Sequence, residues 1–193
     1  MAAKNEHTEG AVLMVDRANQ IKSFLDEAGW NGAEIQQLAG DASFRRYSRI
    51  SIDNRKAILM DSEMCKENIR PFLSICRHLR SLGYSAPEIF AEGLPSGLIL
   101  MEDLGDTTFT QRLQGNVKEL QMYEGAVDFL IDLHSRSPKS TIPTWIPTYD
   151  MNRYLDEVSL LTDWYMPQIS ELSETARQDY EGIWKNILPV ILS

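Results

Sequence analysis

Three shortages narrow what this sequence can be. It has only two cysteines, Cys65 and Cys76, without C-x-x-C spacing. That excludes a disulfide framework, and both are read as reduced interior or helix residues suited to a reducing cytoplasm. Positive charge is scarce: 19 Lys and Arg stand against 28 Asp and Glu, a formal net charge of −9. A nucleic-acid backbone is therefore not an expected partner, because such binding needs many cations on phosphates. Long apolar runs are missing near the start. Ala11-Val12-Leu13-Met14 is soon followed by Asp16 and Arg17, too short for a signal core or a membrane span. There is no internal repeat or low-complexity tract, and polar Met1 to Gly10 reads as a frayed start.

What remains is ordinary globular material, 43% hydrophobic and 24% charged, which does not point to disorder. A length of 193 residues suits one large domain or one and a half small ones. Acidity does not exclude a nucleotide, since a few local donors can hold three phosphates.

Periodicity supplies the architecture. Val12, Val15, Ile21, Phe24 and Leu25 recur at helical spacing, and Gly29 stops that helix. Ala33 to Leu38 reads as a weak strand. A turn, Gly40-Asp41-Ala42-Ser43, leads into a strand over Phe44 to Ile52. Asp53-Asn54 turns the chain back along Lys56 to Asp61. Pro71 opens a helix whose face is Phe72, Ile75, Cys76, Leu79 and Leu82, and Gly83 closes it. Pro87 to Ala91 and Leu98 to Glu102 are two further strands. Thr107 or Thr108 caps a short helix to Leu113. Helices follow at Asn116 to His134, Asp150 to Tyr165 and Glu171 to Leu188, with Ser135 to Thr148 as a loop. The fold class is α+β: a five-stranded antiparallel sheet with one inserted helix, then a partial helical lobe. The two parts are expected at residues 1–104 and 105–193, with the boundary near Leu104 to Asp106.

Taken in order, Gly40 to Tyr47, Ile58 to Asp61, Pro71-Phe72-Leu73, Leu100 to Gly105, Leu133-His134 and Asp163-Trp164-Tyr165 resemble the aminoglycoside and choline kinase-like phosphotransferases. Within them the pattern most resembles the bacterial kinases acting on the anomeric hydroxyl of N-acetylmuramate and N-acetylglucosamine. The Gly-Asp-Ala-Ser-Phe-Arg-Arg-Tyr block is the most specific of these stretches. The resemblance implies a protein-kinase-like fold, ATP and Mg²⁺ as cofactors, an amino-sugar acceptor and a cytoplasmic location. Choline-like or aminoglycoside acceptors stay open on fold grounds.

Two departures accompany the resemblance. The family's strand lysine, which contacts the α and β phosphates, has no clear match. Leu59-Met60 is nearest by register, and Lys56 lies at the strand's start. The catalytic loop H-x-D-x-x-x-x-N is also missing: none of the three histidines, His7, His78 and His134, begins H-x-D. Its Asp positions the attacking hydroxyl, and its Asn and a second Asp hold Mg²⁺. The chain thus reads as an N-terminal fragment without a catalytic or metal-binding residue of its own and without turnover. A non-catalytic nucleotide-binding or regulatory module and a nonfunctional remnant are the rival readings.

Candidate residues follow. Backbone N–H groups from Asp41 through Ala42 and Ser43 to Phe44, with the Ser43 hydroxyl, would face the phosphates, and Gly40 would permit the close approach. Either Arg45 or Arg46 would replace the lysine's charge. Alternation puts Arg46 opposite Arg45 and Arg49, and Arg46 is preferred because it shares a face with Phe44. The resemblance makes Glu102 C=O and Leu104 N–H the adenine partners. Glu63 or Glu67 is read as a solvated helix charge before a cation partner, and His134 as a partly buried histidine. Trp164 and Tyr165 are possible sugar contacts, with core packing as the plainer alternative. Apolar Ile187 to Leu192 is expected to leave an exposed patch that promotes self-association.

Overall fold

A computed structural model describes residues 5–39, 45–62, 69–114 and 118–192. They form two compact units, 1–125 and 126–193.

The first unit is built on five antiparallel strands. These are β1 (Glu34–Gln37), β2 (Arg46–Ile52), β3 (Arg55–Asp61), β4 (Ile89–Gly93) and β5 (Leu98–Glu102), in the spatial order β1-β2-β3-β5-β4. Helix α1 (Asn5–Glu27) precedes the sheet, and α2 (Arg70–Ser81) is inserted after β3. The expected α+β sheet with one inserted helix is therefore present.

Strand alternation divides this sheet between two helices. Ile50, Ala57, Leu59, Leu98 and Leu100 cluster with Leu25 and Trp30, against Ile21 and Phe24 of α1. The opposite face carries Tyr47, Ile58, Met60, Ile99 and Met101, packed with Ile69, Phe72 and Leu73 at α2. The central strands β3 and β5 are apolar on both faces because both faces are covered. Burying each large aliphatic side chain contributes about 1.5–3 kcal/mol.

Local signals set the boundaries. Asp53 takes a positive φ of 52° in the two-residue turn between β2 and β3, as such hairpins require. Helix α2 starts with Pro71 in its first turn. It ends with Gly83 at φ +89°. There Tyr84 N–H reaches Leu79 C=O at 3.0 Å and Gly83 N–H reaches Arg80 C=O at 2.9 Å, satisfying carbonyls the helix leaves open. Cys76 is a free, buried thiol on this helix, and burial raises its pKa. Cys65 and the Glu63 and Glu67 positions lie outside the described residues.

After β5 come α3 (Phe109–Leu113), α4 (Glu119–Ser135) and the single turn α5 (Pro138–Thr141), the last within the stretch expected to be loop. Thr108 caps α3 through the Gln111 N–H. His134 is exposed rather than partly buried.

In the second unit Asp150 caps α6 (Met151–Leu160) through the Arg153 N–H. The helix then widens into a π turn, Leu161–Tyr165, and tightens into a 3₁₀ turn, Met166–Gln168. The final helix, α7 (Glu174–Leu192), continues through Pro189. Its Leu188 is buried while Ile183, Ile187 and Val190 are exposed. No helix among the described residues is long and apolar enough to cross a membrane.

Candidate nucleotide cleft

The face of β2 and β3 that carries Tyr47 and Ile58 does not end at α2. It continues toward the connector after β5 and leaves a cleft of about 230 Å³. Leu38, Tyr47, Arg49, Ile58 and Met101 form its walls, and Glu102 to Asp106 its rim. The walls are largely apolar, as suits the flat face of a nucleobase.

Arg49 organises the rim. Its Nε donates to Asp103 Oδ2 at 2.7 Å and its Nη2 to Asp103 Oδ1 at 3.2 Å. The same guanidinium donates to Asp106 Oδ1 at 2.7 Å and Oδ2 at 3.1 Å. Gly105 N–H adds a bond to Asp103 Oδ1 at 2.9 Å, and Gly105 takes the φ of +79° that the bend demands. The Arg49 bonds hold the Asp103 carboxyl below the usual carboxylate range, overcoming the opposing effect of partial burial, and Gly105 assists. The two carboxylates in turn raise the Arg49 pKa, so the group stays charged.

This clasp fixes the connector's backbone. Glu102 is bound into the sheet, its N–H donating to Glu88 C=O at 2.8 Å. Among the described residues the Leu104 N–H donates to no protein acceptor, although Leu104 lines the cleft. A donor held in place at the rim of an apolar slot is what an adenine ring nitrogen requires.

The expected site residues are distributed as follows. Glu102 and Leu104 meet at the cleft. Gly40, Asp41, Ala42 and Ser43 lie outside the described residues. Their flanks are placed: Leu38 N–H bonds Tyr47 C=O at 2.9 Å, and both side chains line the cleft. Arg46 is not brought there. Its Nη2 reaches Asp61 Oδ2 at 2.8 Å, and Asp61 Oδ1 accepts from Arg17 Nη2 of α1 at 2.7 Å, so Arg46 belongs to the face that α1 covers. Of the pair Leu59-Met60, Met60 is on the cleft side, wholly buried against Leu73.

Trp164 and Tyr165 sit on the π turn of the second unit, both exposed. A polar cavity of about 290 Å³ lies nearby between α6 and α7, lined in part by Ser159, Thr162, Asp163, Arg177 and Tyr180. Neither aromatic lines it. Asp163 pairs instead with Arg177 of α7. Among the described residues no three His, Cys, Asp or Glu side chains are grouped to hold a metal ion.

The residues missed in advance are Asp103 and Asp106. Their signal was present in the acidic connector, where two carboxylates follow β5, but the Arg49 that they meet lies on β2, a strand away across β3.

A family model described as the APH phosphotransferase enzyme family matches residues 34–190, from β1 to α7. The chain belongs to this family. It is 31% identical over 188 residues to a protein of Pseudomonas aeruginosa named N-acetylmuramate/N-acetylglucosamine kinase. That match covers 91% of this chain and 53% of the relative. A protein of the same name from Pseudomonas putida is 27% identical over 176 residues, covering 90% and 50% respectively. A third, from Caulobacter vibrioides, is 25% identical over 209 residues, covering 91% and 57%. The chain therefore spans about half the length of the curated relatives it matches. Helix α1, which supplies Arg17, precedes the matched span of the phosphotransferase family.

Proposed function

We propose that the cleft of this phosphotransferase binds the base of ATP and that the chain is the nucleotide-holding part of a sugar kinase. The acceptor is the anomeric hydroxyl of N-acetylmuramate or N-acetylglucosamine. One observation carries the reading: the Arg49–Asp103 clasp fixes the connector at an apolar slot, and Leu104, whose N–H has no protein acceptor among the described residues, lines that slot. Residues 1–104 form the nucleotide lobe, and 105–193 begin the helical lobe. Asp41 to Ser43 contact the phosphates, Glu102 C=O and Leu104 N–H the adenine, and Trp164 and Tyr165 the sugar.

Phosphoryl transfer relies on positioning and charge neutralisation. Bound Mg²⁺ would neutralise the phosphate oxygens. Its ligands and the group that orients the acceptor are assigned to the part of the relatives' length that this chain does not span. A cytoplasmic location follows from ATP as co-substrate.

The 193-residue chain is therefore expected to bind ATP and adenosine without turning over N-acetylmuramate. Calorimetry reports the binding. Hydrogen exchange reports its place, since nucleotide should slow exchange at Leu104 while leaving α7 unchanged. Binding of neither compound, or protection confined to another region, would refute the assignment. Turnover at an ordinary enzyme rate would refute the placement of the catalytic groups.

A further inference from the structure

We infer that the Asp106 carboxylate receives the paired hydroxyls of a ribose, so that the cleft selects ribonucleosides over their deoxy counterparts. The inference rests on the nucleotide reading of the cleft and assigns the sugar of the nucleotide within that same site.

The argument begins with charge at the rim. Among the described residues four charged side chains line the cleft: Arg49, Glu102, Asp103 and Asp106. The Glu102 carboxylate is occupied elsewhere, since it accepts from Glu88 N–H at 3.1 Å and from Arg80 of α2 at 3.4 Å. Asp103 takes the charge of Arg49, the one cation of these four. Its side chain is 9% exposed, and it accepts two Arg49 donors and the Gly105 N–H. Asp106 is therefore the charge in excess. Its side chain is 69% exposed, beside a guanidinium that Asp103 already neutralises. Exposed pairs contribute little to stability, so the fold does not require a carboxylate at this position.

The bonding sites point to the ligand. An ionised carboxylate offers about four lone-pair sites. Arg49 fills one on each oxygen of Asp106, at 2.7 Å on Oδ1 and 3.1 Å on Oδ2. Each oxygen keeps capacity for a further donor. Two hydroxyls on adjacent carbons match that pair of acceptors, and O–H bonds to a carboxylate are short and strong. No other part of a nucleotide suits the place. Phosphates carry like charge and are repelled. The polar edge of the base is engaged by Glu102 C=O and Leu104 N–H. Asp106 follows Leu104 by two positions, no more than about 7 Å of chain. A base held at Leu104 brings its ribose, one bond away, to the Asp106 rim.

The test titrates adenosine, 2′-deoxyadenosine and 3′-deoxyadenosine into the 193-residue chain by calorimetry. None of the three carries a phosphate. The unsubstituted chain should bind adenosine about tenfold more tightly than either deoxynucleoside, the scale of one charge-assisted bond. Asp106→Ala should bring the three affinities within about twofold of one another, while its melting temperature stays within a few degrees. Asp103→Asn, which loosens the connector, should weaken all three alike and keep their ratio. Equal affinities for the three in the unsubstituted chain overturn the inference and leave the base-holding cleft standing. A preference for adenosine that persists in Asp106→Ala also overturns it, even where all three weaken by one factor, the mark of a purely structural role. Binding of none of the three overturns the cleft reading and the inference together.

Discussion

Arg49 on β2 holds Asp103, the first residue after β5, through two hydrogen bonds of 2.7 and 3.2 Å from one guanidinium to one carboxylate. Strands β2 and β5 are not neighbours, since β3 lies between them. The pair thus spans a strand and locks the connector to β2. Asp106 extends the clasp but is largely exposed, and exposed pairs contribute little. Most of the constraint comes from Asp103.

Arg49→Met should loosen the connector without unfolding the sheet. The Leu104 N–H would lose its fixed direction, and binding would then include the cost of ordering it. Adenosine affinity should fall on the order of tenfold, with Arg49→Lys intermediate because an ammonium lacks the fork. Calorimetry with adenosine, which carries no phosphate, separates this effect from phosphate contacts. Unchanged adenosine affinity in Arg49→Met would show that the clasp is irrelevant to the cleft.

The same pair gives a pH dependence with a definite sign. The Asp103 pKa is lowered in the folded chain, chiefly by the Arg49 hydrogen bonds. Its contribution to stability is therefore fully present above the unfolded carboxylate value, about 3.9. It is lost as pH falls through the lower folded value. Asp103→Asn should melt below the unsubstituted chain at pH 7, and the gap should close below about pH 4. Melting curves across that range measure it, and a gap that is constant with pH would contradict the linkage.

The physical origin of each signal explains what the sequence revealed. Strand β5 was legible to the residue, because Leu98 to Met101 is a short buried apolar run bounded by Gly97 and an acidic connector. The start and stop of α2 and the Asp53 hairpin were legible for the same local reason, and the α3 cap was narrowed to Thr107 or Thr108. The facing of the β2 arginines was not. Alternation separates Arg46 from Arg45 and Arg49, but which side meets α1 is decided by Arg17 reaching Asp61 from 44 positions away. The π turn at Leu161–Tyr165 was hidden too, since one widened turn barely changes a helix's apolar period. The end of α7 was placed too early, at Leu188: a proline in its last turn removes one donor yet leaves the preceding helix intact.

Asp61 is expected to be a structural keystone rather than a ligand of substrate. Its carboxylate is buried and shared by Arg17 and Arg46, and Arg17 also donates to Ser96 C=O at 2.9 Å. Asp61→Asn keeps the shape and removes the charge that faces a buried guanidinium. Stability should fall by about 3–5 kcal/mol, as when one partner of a buried ion pair is lost. Replacing Arg17 and Asp61 together by Met and Leu should cost less, because no buried charge is then left facing the gap. Urea denaturation of the single and double variants decides this. A double variant as unstable as the sum of both singles would show that the pair is not coupled.

Helix α7 leads to a prediction about association. Ile183, Ile187 and Val190 recur at four and three positions and are all exposed, Val190 by 77%. A contiguous apolar stripe of this kind favours contact with another surface. Leu188 is turned inward, so the helix has a separate anchor, and its stripe can be changed without emptying the interior. The chain should self-associate at high concentration, and the pair Ile187→Lys and Val190→Glu should shift it toward monomer while its melting temperature stays within a few degrees. Light scattering over a concentration series measures the first effect and calorimetry the second. A monodisperse monomer before substitution would remove the stripe from consideration. Unchanged association in the paired variant would move the contact to another face.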